Sequence, residues 1–433
     1  MPAPVDSAVA AAAAICGGTM SPAEVTEILL ERIAVTEPTL HAYATVTAEQ
    51  ARRQAARLGP AGGPLHGVPI GIKDLIDTAG IVTGYGSPRF AGHVPQRDAT
   101  AVSRLRAAGV VVLGKHTTHE LAWGGRTDSA WFGPTHNPHR HGHIPGGSSG
   151  GSAASVAAGS SLGALGSDTA GSVRIPAALS GCVGFKPSRG RIPLDGVLPL
   201  APSLDHLGVL ARTVDDAALL TDAVAEPAPR PPDGPLRIGW LGGWHDAVLA
   251  PEVRDALNTT RTRLEDAGVR IGDVVIPDEP LMPEAPLARI LDEAGALHRT
   301  AFEQDPGLFG ADLAELMRLP RRSPEQAERH EAAIDRMVGA LREALRTHHV
   351  LACATVAVTA PPIGVHTLTV DGRDWPVEMV LTRLTAPYNA AGLPALSLPI
   401  GVADGLPIGL QLAGPPLGDE LVLRAARLVE GLR

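Results

Sequence analysis

Two stretches of small residues carry most of the chemistry this sequence offers. One is Gly146-Gly147-Ser148-Ser149-Gly150-Gly151-Ser152; the other is Asp168-Thr169-Ala170-Gly171-Ser172, inside GSDTAGSVRIPA. By composition the first could pass for a flexible linker. It continues, however, into AASVAAGSSLGALGS, an uncharged run that reads as interior. A phosphate-cradling loop would need GxxxxGK followed by Ser or Thr, or GxGxxG after a strand, and neither is present. That leaves a tight structural loop or a catalytic one, in which glycines let the backbone approach a substrate and hydroxyls react. In the second stretch, successive N–H groups of a turn before Ser172 can converge on one point and hold an oxyanion. Ser172 is then a candidate nucleophile that still needs a base. No GxSxG elbow surrounds it, and no histidine stands in an evident triad context.

Lysine usage singles out another position. Of 37 basic residues only Lys73, Lys115 and Lys186 are lysine, and the other 34 are arginine. Codon usage accounts for such a bias. A lysine that persists against it is a candidate for a place where a guanidinium would not serve, because arginine cannot give up its proton in proteins and lysine can.

The 433 residues, 44% hydrophobic and 19% charged, have the composition of a soluble globular protein with a large core. A net charge of −9 argues against nucleic acid and anionic membrane as partners. No apolar run approaches the roughly 18 residues of a spanning helix. The N-terminal AVAAAAAICGG follows Asp6 with no Lys or Arg before it, so it fails as a secretory signal and reads as a first helix. Cys16, Cys182 and Cys353 show no CxxC spacing and no even framework, which fits reduced thiols in a cytoplasmic protein.

The elements that must position these residues follow from pattern. SPAEVTEILLERIAVTEP opens with a Ser cap and a Glu three residues on, and AEQARRQAARLG reads as a second helix. GVPIGIKDLID is apolar and β-branched, placing Lys73 on or just after a strand. DATAVSRLRAAGVVVLGK reads as helix, Gly109 cap and strand. TVDDAALLTDAVA is a capped helix, and EPAPRPPDGP (226–235) is the best linker candidate. Beyond it come strand LRIGWL, helix PEVRDALNTTRTRLEDAG and strand VRIGDVVIP. A long arginine-rich helical stretch from about Glu284 to Arg346 follows. LPALSLPIG and LPIGLQLAG then read as two strands before a final helix from Asp419. Alternating elements argue for one α/β layered architecture.

With these residues in place, the chain resembles the amidase signature family, whose members cleave amides with a Ser–cis-Ser–Lys triad. GGSSGGSAASVAAG and GSDTAGSVRIPAALSGCVGFKPSRGRI follow the family pattern almost residue for residue. Ser172 lies 24 positions after Ser148, which lies 75 after Lys73, as the family spacing requires. PLHGVPIGIKDLIDTAGIVTGYGS, FGPTHNP and TAPYNAAGLPALSLPIG fit as well. The resemblance implies the amidase signature fold, a large mixed β-sheet core covered by helices on both faces. It implies one domain over residues 1–433, with a signature core at about 64–213 and a substrate-loop half at about 236–433. By position it makes Ser172 the nucleophile, Ser148 the bridging serine after a cis peptide bond, and Lys73 the base. The N–H groups of Thr169, Ala170, Gly171 and Ser172 would form the oxyanion hole, and Ala122 and Trp123 would line the acyl pocket. Lys73 would have to be unprotonated, so burial must lower its pKa; the adjacent Asp74 points to the opposite strand face and need not pair with it.

No metal or cofactor is implied. His136, His139, His141 and His143 in HNPHRHGH read as a solvated loop, since no carboxylate or cysteine completes a ligand set. Lys115 and Lys186 read as structural, Cys182 as core, and Arg174 as a holder of the catalytic loop. Two positions depart from the family pattern: Ala170 stands where many members have glycine, and Ala354-Thr355 replaces a commonly seen proline. The expected activity is hydrolysis of a small or medium carboxamide to acid and ammonia or amine. Alternatives are an amidotransferase A-type subunit making ammonia from glutamine for a partner, a role for which the chain is short, and a hydrolase of allophanate- or biuret-like amides. A scaffold without chemistry is disfavoured by the intact Lys73, Ser148 and Ser172. The expected partner is a small-molecule amide, and the resemblance is compatible with a homodimer.

Overall fold

The computed structural model describes residues 5–59, 62–229 and 234–433. Its centre is one eleven-stranded mixed sheet. In chain order the strands are β1 (Tyr43–Val46), β2 (Pro69–Lys73), β3 (Val111–His116), β4 (Gly163–Ser167), β5 (Val183–Lys186) and β6 (Leu207–Ala211). The second half supplies β7 (Arg237–Gly243), β8 (Arg270–Ile276), β9 (Val350–Ala354), β10 (Ala395–Ala403) and β11 (Leu406–Ala413). Their order across the sheet is β1-β3-β2-β4-β6-β5-β10-β11-β9-β7-β8. Strands β3, β2 and β4 run parallel, as do β9, β7 and β8, while the strands between them pair antiparallel.

Every residue of β2, β3, β4, β6 and β11 is buried. A strand buried throughout must be covered on both faces, and helices supply that cover, as the sequence implies. The expected helices form at Pro22–Leu40, Ala48–Arg57, Thr100–Ala107, Val214–Val224, Pro251–Asp266 and Asp419–Glu430. Reciprocal capping boxes start two of them, Ser21 with Glu24 and Thr213 with Asp216. The apolar N-terminal run forms the helix Ala8–Cys16.

The arginine-rich stretch differs from its reading as one long helical segment. It is divided into Ala285–Gln304, Ala311–Arg318 and Pro324–Thr347, with a 3-10 turn at Pro306–Leu308. Pro306, Gly310 and Pro320 occupy the breaks, where proline's missing N–H and fixed φ interrupt the ladder, and Pro324 opens the last of the three helices. Of the proposed linker 226–235, residues 230–233 lie outside the described residues. Strand β5 from the first half pairs with β10 from the second, so the sheet crosses the division at about 213–236.

Candidate active site

Sheet topology brings the two small-residue loops together. Strands β2 and β4 are parallel neighbours, with Gly71 opposite Ala164 and Ile72 opposite Leu165. Their carboxyl ends, Lys73 and Ser167, therefore emerge side by side, at the kind of edge where α/β sheets hold ligands. The loop ending at Ser149 feeds the buried helix Gly150–Ala157, which leads back into β4. The chain leaving β4 then makes the turn 168–173 before the helix Arg174–Ser180. Both loops thus sit over the same edge. They are joined by the Ser149 N–H donating to the Ser172 carbonyl at 3.2 Å and the Ser149 hydroxyl donating to the Ser167 carbonyl at 3.1 Å.

The glycines of the first loop answer a packing demand. A Cβ on Gly151 would come within 2.4 Å of the Ala42 carbonyl, so the helix cannot lie this close to the chain entering β1 with any other residue there. The peptide bond Gly147–Ser148 is cis. In the second loop Gly171 has φ 129°, and a Cβ there would stand 2.2 Å from Thr385 Oγ1.

Lys73 is fully buried. Its Nζ lies 2.7 Å from Ser148 Oγ and 2.8 Å from Ser167 Oγ. Burial pushes its pKa down to about 7, against the opposing pull of Asp168 and Asp205. Asp74, next in sequence, turns away and stands 3.8 Å from Lys115. Ser172 is 8% exposed and opens onto a cavity. Among the described residues no hydrogen bond joins the Ser172 and Ser148 hydroxyls; such bonds commonly tighten only once substrate is bound.

Asp168 organises the turn. Its carboxylate accepts from the N–H groups of Gly171 (2.9 Å) and Val173 (3.1 Å), and from Arg174 Nε (3.0 Å) and Nη2 (2.8 Å). Burial alone would raise this carboxyl, but the guanidinium of Arg174 outweighs it and holds the group well below the ordinary range. Arg174 also donates to the Thr385 carbonyl and to Gln411 Oε1. It therefore holds the loop, as its residue type and place in the motif imply. Gly171 spends its N–H on Asp168, which removes it from the set of free donors. Among the described residues the N–H groups of Thr169, Ala170 and Ser172 have no acceptor. Ala170 takes no positive φ, so alanine fits where glycine is common.

The cavity measures about 440 Å³. Thr169, Ala170, Ser172, Ala122 and Trp123 all line it, whereas Lys73 and Ser148 lie behind the wall. Opposite them stand apolar side chains from Ala285–Gln304 and Ala311–Arg318, such as Leu287, Leu291 and Leu316. Leu121 (φ 51°) and Ala122 (φ 60°) are consecutive left-handed residues without a glycine, an arrangement that costs of order 1–3 kcal/mol each and concentrates at functional sites.

Sequence reasoning missed Ser167, the second hydroxyl on Lys73; its signal was a serine five residues before Ser172. It also missed a charged wall of the cavity centred on Arg126. The residues read as structural are so placed. Lys115 donates to the Ile76 carbonyl and to Thr83, Lys186 to the Leu393 carbonyl, and Cys182 is buried. His136 stacks on His141 with ring centroids 3.8 Å apart in an open loop. Among the described residues no three His, Cys, Asp or Glu side chains gather as a metal set, and no helix is long and apolar enough to cross a membrane.

The Amidase family model matches residues 24–423, and the chain belongs to the amidase signature family. It is thus an amidase, an enzyme acting on amide C–N bonds. Its sequence is 36% identical to a glutamyl-tRNA(Gln) amidotransferase subunit of Roseiflexus sp. (strain RS-1), over 95% of this chain and 93% of the relative. It is 34% identical to AtzE, the 1-carboxybiuret hydrolase subunit of Pseudomonas sp. (strain ADP), over 96% of each. Among solved structures, a crystal structure of an amidase superposes with a TM-score of 0.91 at 32% identity, covering 98% of this chain and 99% of that one. Coverage of 93% of an amidotransferase subunit means that length does not separate this chain from that class.

Proposed function

We propose that the chain hydrolyses a carboxamide to a carboxylic acid and ammonia or amine through an acyl-enzyme on Ser172. The observation that carries this is the buried Lys73, lowered to about 7 and 2.7 Å from Ser148, directly behind the loop that presents Ser172 to the cavity. Neutral Lys73 takes the proton of Ser148, which takes the proton of Ser172 as Ser172 Oγ attacks the amide carbon. The carbonyl oxygen becomes an oxyanion, held by the free N–H groups of Thr169, Ala170 and Ser172. The relay then reverses, the amine leaves with the proton, and water repeats the sequence on the ester. Ser167 holds the Lys73 amine in line, and Trp123 and Ala122 face the acyl part of the substrate.

A fluorophosphonate probe tests the nucleophile, since an activated hydroxyl beside an oxyanion hole attacks phosphorus as it does carbon. One adduct per chain, mapped to Ser172, is expected. An adduct on another serine, or none on an amidase-active sample, overturns the assignment.

The 36% identity to an amidotransferase subunit supports a second reading, in which the ammonia comes from glutamine and goes to a partner protein. Ammonia release by the purified chain alone, from simple amides against glutamine, separates the two.

A further inference from the structure

One wall of the cavity is strongly charged. Arg126 is nearly buried, with 8% of its side chain exposed, and three carboxylates surround it: Asp128 at 3.2 Å, Asp312 at 3.4 Å and Glu378 at 3.5 Å. Its Nη1 donates to His366 Nδ1 at 2.8 Å. His119 lies between Asp312 (3.1 Å) and Asp128 (3.6 Å). Even with His119 counted as an imidazolium, two cations face four carboxylates once Glu315 is included. Glu315 lines the cavity, is exposed, and has no hydrogen-bond or ion-pair partner among the described residues.

Exposure decides which sign a substrate meets. Asp312 and Glu378 keep 38% and 35% of their side chains accessible, while the guanidinium that would attract an anion is covered. A substrate carboxylate would find Arg126 covered, its Nη1 and Nη2 already donating to His366 and Asp312, and three acidic groups in its path. A cationic group would find carboxylate oxygens with spare lone pairs, in a chamber otherwise lined mainly by apolar side chains such as Leu287, Leu291 and Ile290, where ionic hydrogen bonds strengthen.

We propose that this site selects amides that carry a cationic group, an ammonium or guanidinium, on an apolar body, with the cation seated against Asp312, Glu315 and Glu378. This rests on the reaction proposed above and concerns only what enters the site.

Three series of primary amides of equal length test it, from four to eight carbons, with an ω-ammonium, ω-methyl or ω-carboxylate end. Ammonia release should give the best ω-ammonium amide a kcat/KM at least about tenfold above its neutral counterpart, as expected of one charge-assisted contact, with the carboxylates lowest. Glu315→Gln, at an exposed position where folding is not at stake, and Glu378→Gln should each narrow the ammonium-to-methyl ratio at least about threefold. Equal or better turnover of neutral or anionic amides overturns the proposal, as do unchanged ratios in both variants. Titration calorimetry of Ser172→Ala with the same amides reads selection without chemistry. If wild type turns over none of them while Ser172→Ala still prefers the ammonium series, the reaction assignment fails and the selectivity stands. Equal binding of all three series overturns the selectivity by itself.

Discussion

At the scale of the residue, Lys73 concentrates the chemistry. A base must be able to lose its proton, and an arginine with a pKa above about 12 cannot. Lys73→Arg keeps the charge and removes the base, so its kcat should fall at least about 10²-fold, the lower range for losing general base catalysis. A folded variant retaining more than about a tenth of wild-type kcat would show that Lys73 is not the base. The wild-type rate should rise with pH through one ionisation near 7, because the neutral amine is the active form and burial lowers it to that value. The same burial makes a stability prediction. Lys73 holds its proton less tightly folded (about 7) than unfolded (10.5). The unfolded state therefore binds more protons between those values, and stability rises with pH across that window. Below 7 the full cost of a buried ammonium is present. Lys73→Met should accordingly melt above wild type at pH 6, with the gap closing towards pH 10; a gap independent of pH would mean that Lys73 is not depressed.

At the scale of the element, the turn 168–173 is shaped by a fully buried ion pair between Asp168 and Arg174, 2.8 Å apart, with Thr385, Asn389 and Gln411 completing its hydrogen bonds. Such a pair is weak evidence of net stabilisation, but removing one partner strands a buried charge at a cost of about 3–5 kcal/mol. Arg174→Met should lower the unfolding free energy in urea by that amount and release the geometry of the Thr169, Ala170 and Ser172 N–H groups, so the loss of activity should exceed the unfolded fraction. A change below about 1 kcal/mol would show that the loop keeps its shape without the guanidinium. The capped helices were legible because each carries its own stop and start signals. Strands β4, β5, β6 and β9 were not: they are fully buried runs of four or five residues with no alternation, and unlike β2 and β3 each holds at most one β-branched residue.

At the scale of the whole molecule, β5 and β10 join the signature core to the second half through a shared sheet, and we propose that the chain unfolds as one unit. Calorimetry should show a single endotherm; two resolved transitions, with the half after residue 236 melting separately, would contradict this. The sequence by itself determined the candidate chemistry: three side chains at family spacing, a glycine-rich backbone around them, and one of only three lysines kept where arginine is the rule. These are local facts, written in residue type and chain distance. It also indicated an α/β architecture, because capping, turn residues and apolar runs act over a few residues at a time. Only the tertiary structure decided that the Gly171 N–H belongs to Asp168, that Ser167 is the second partner of Lys73, and that Asp312, Glu315 and Glu378 reach one cavity wall with Arg126. Such contacts join residues far apart in the chain: beside Arg126, the Gly125 N–H donates to Glu378 Oε2 across 253 residues. No periodicity spans such a distance; their meeting follows from the order in which the strands pair and from the packing of helices above the sheet.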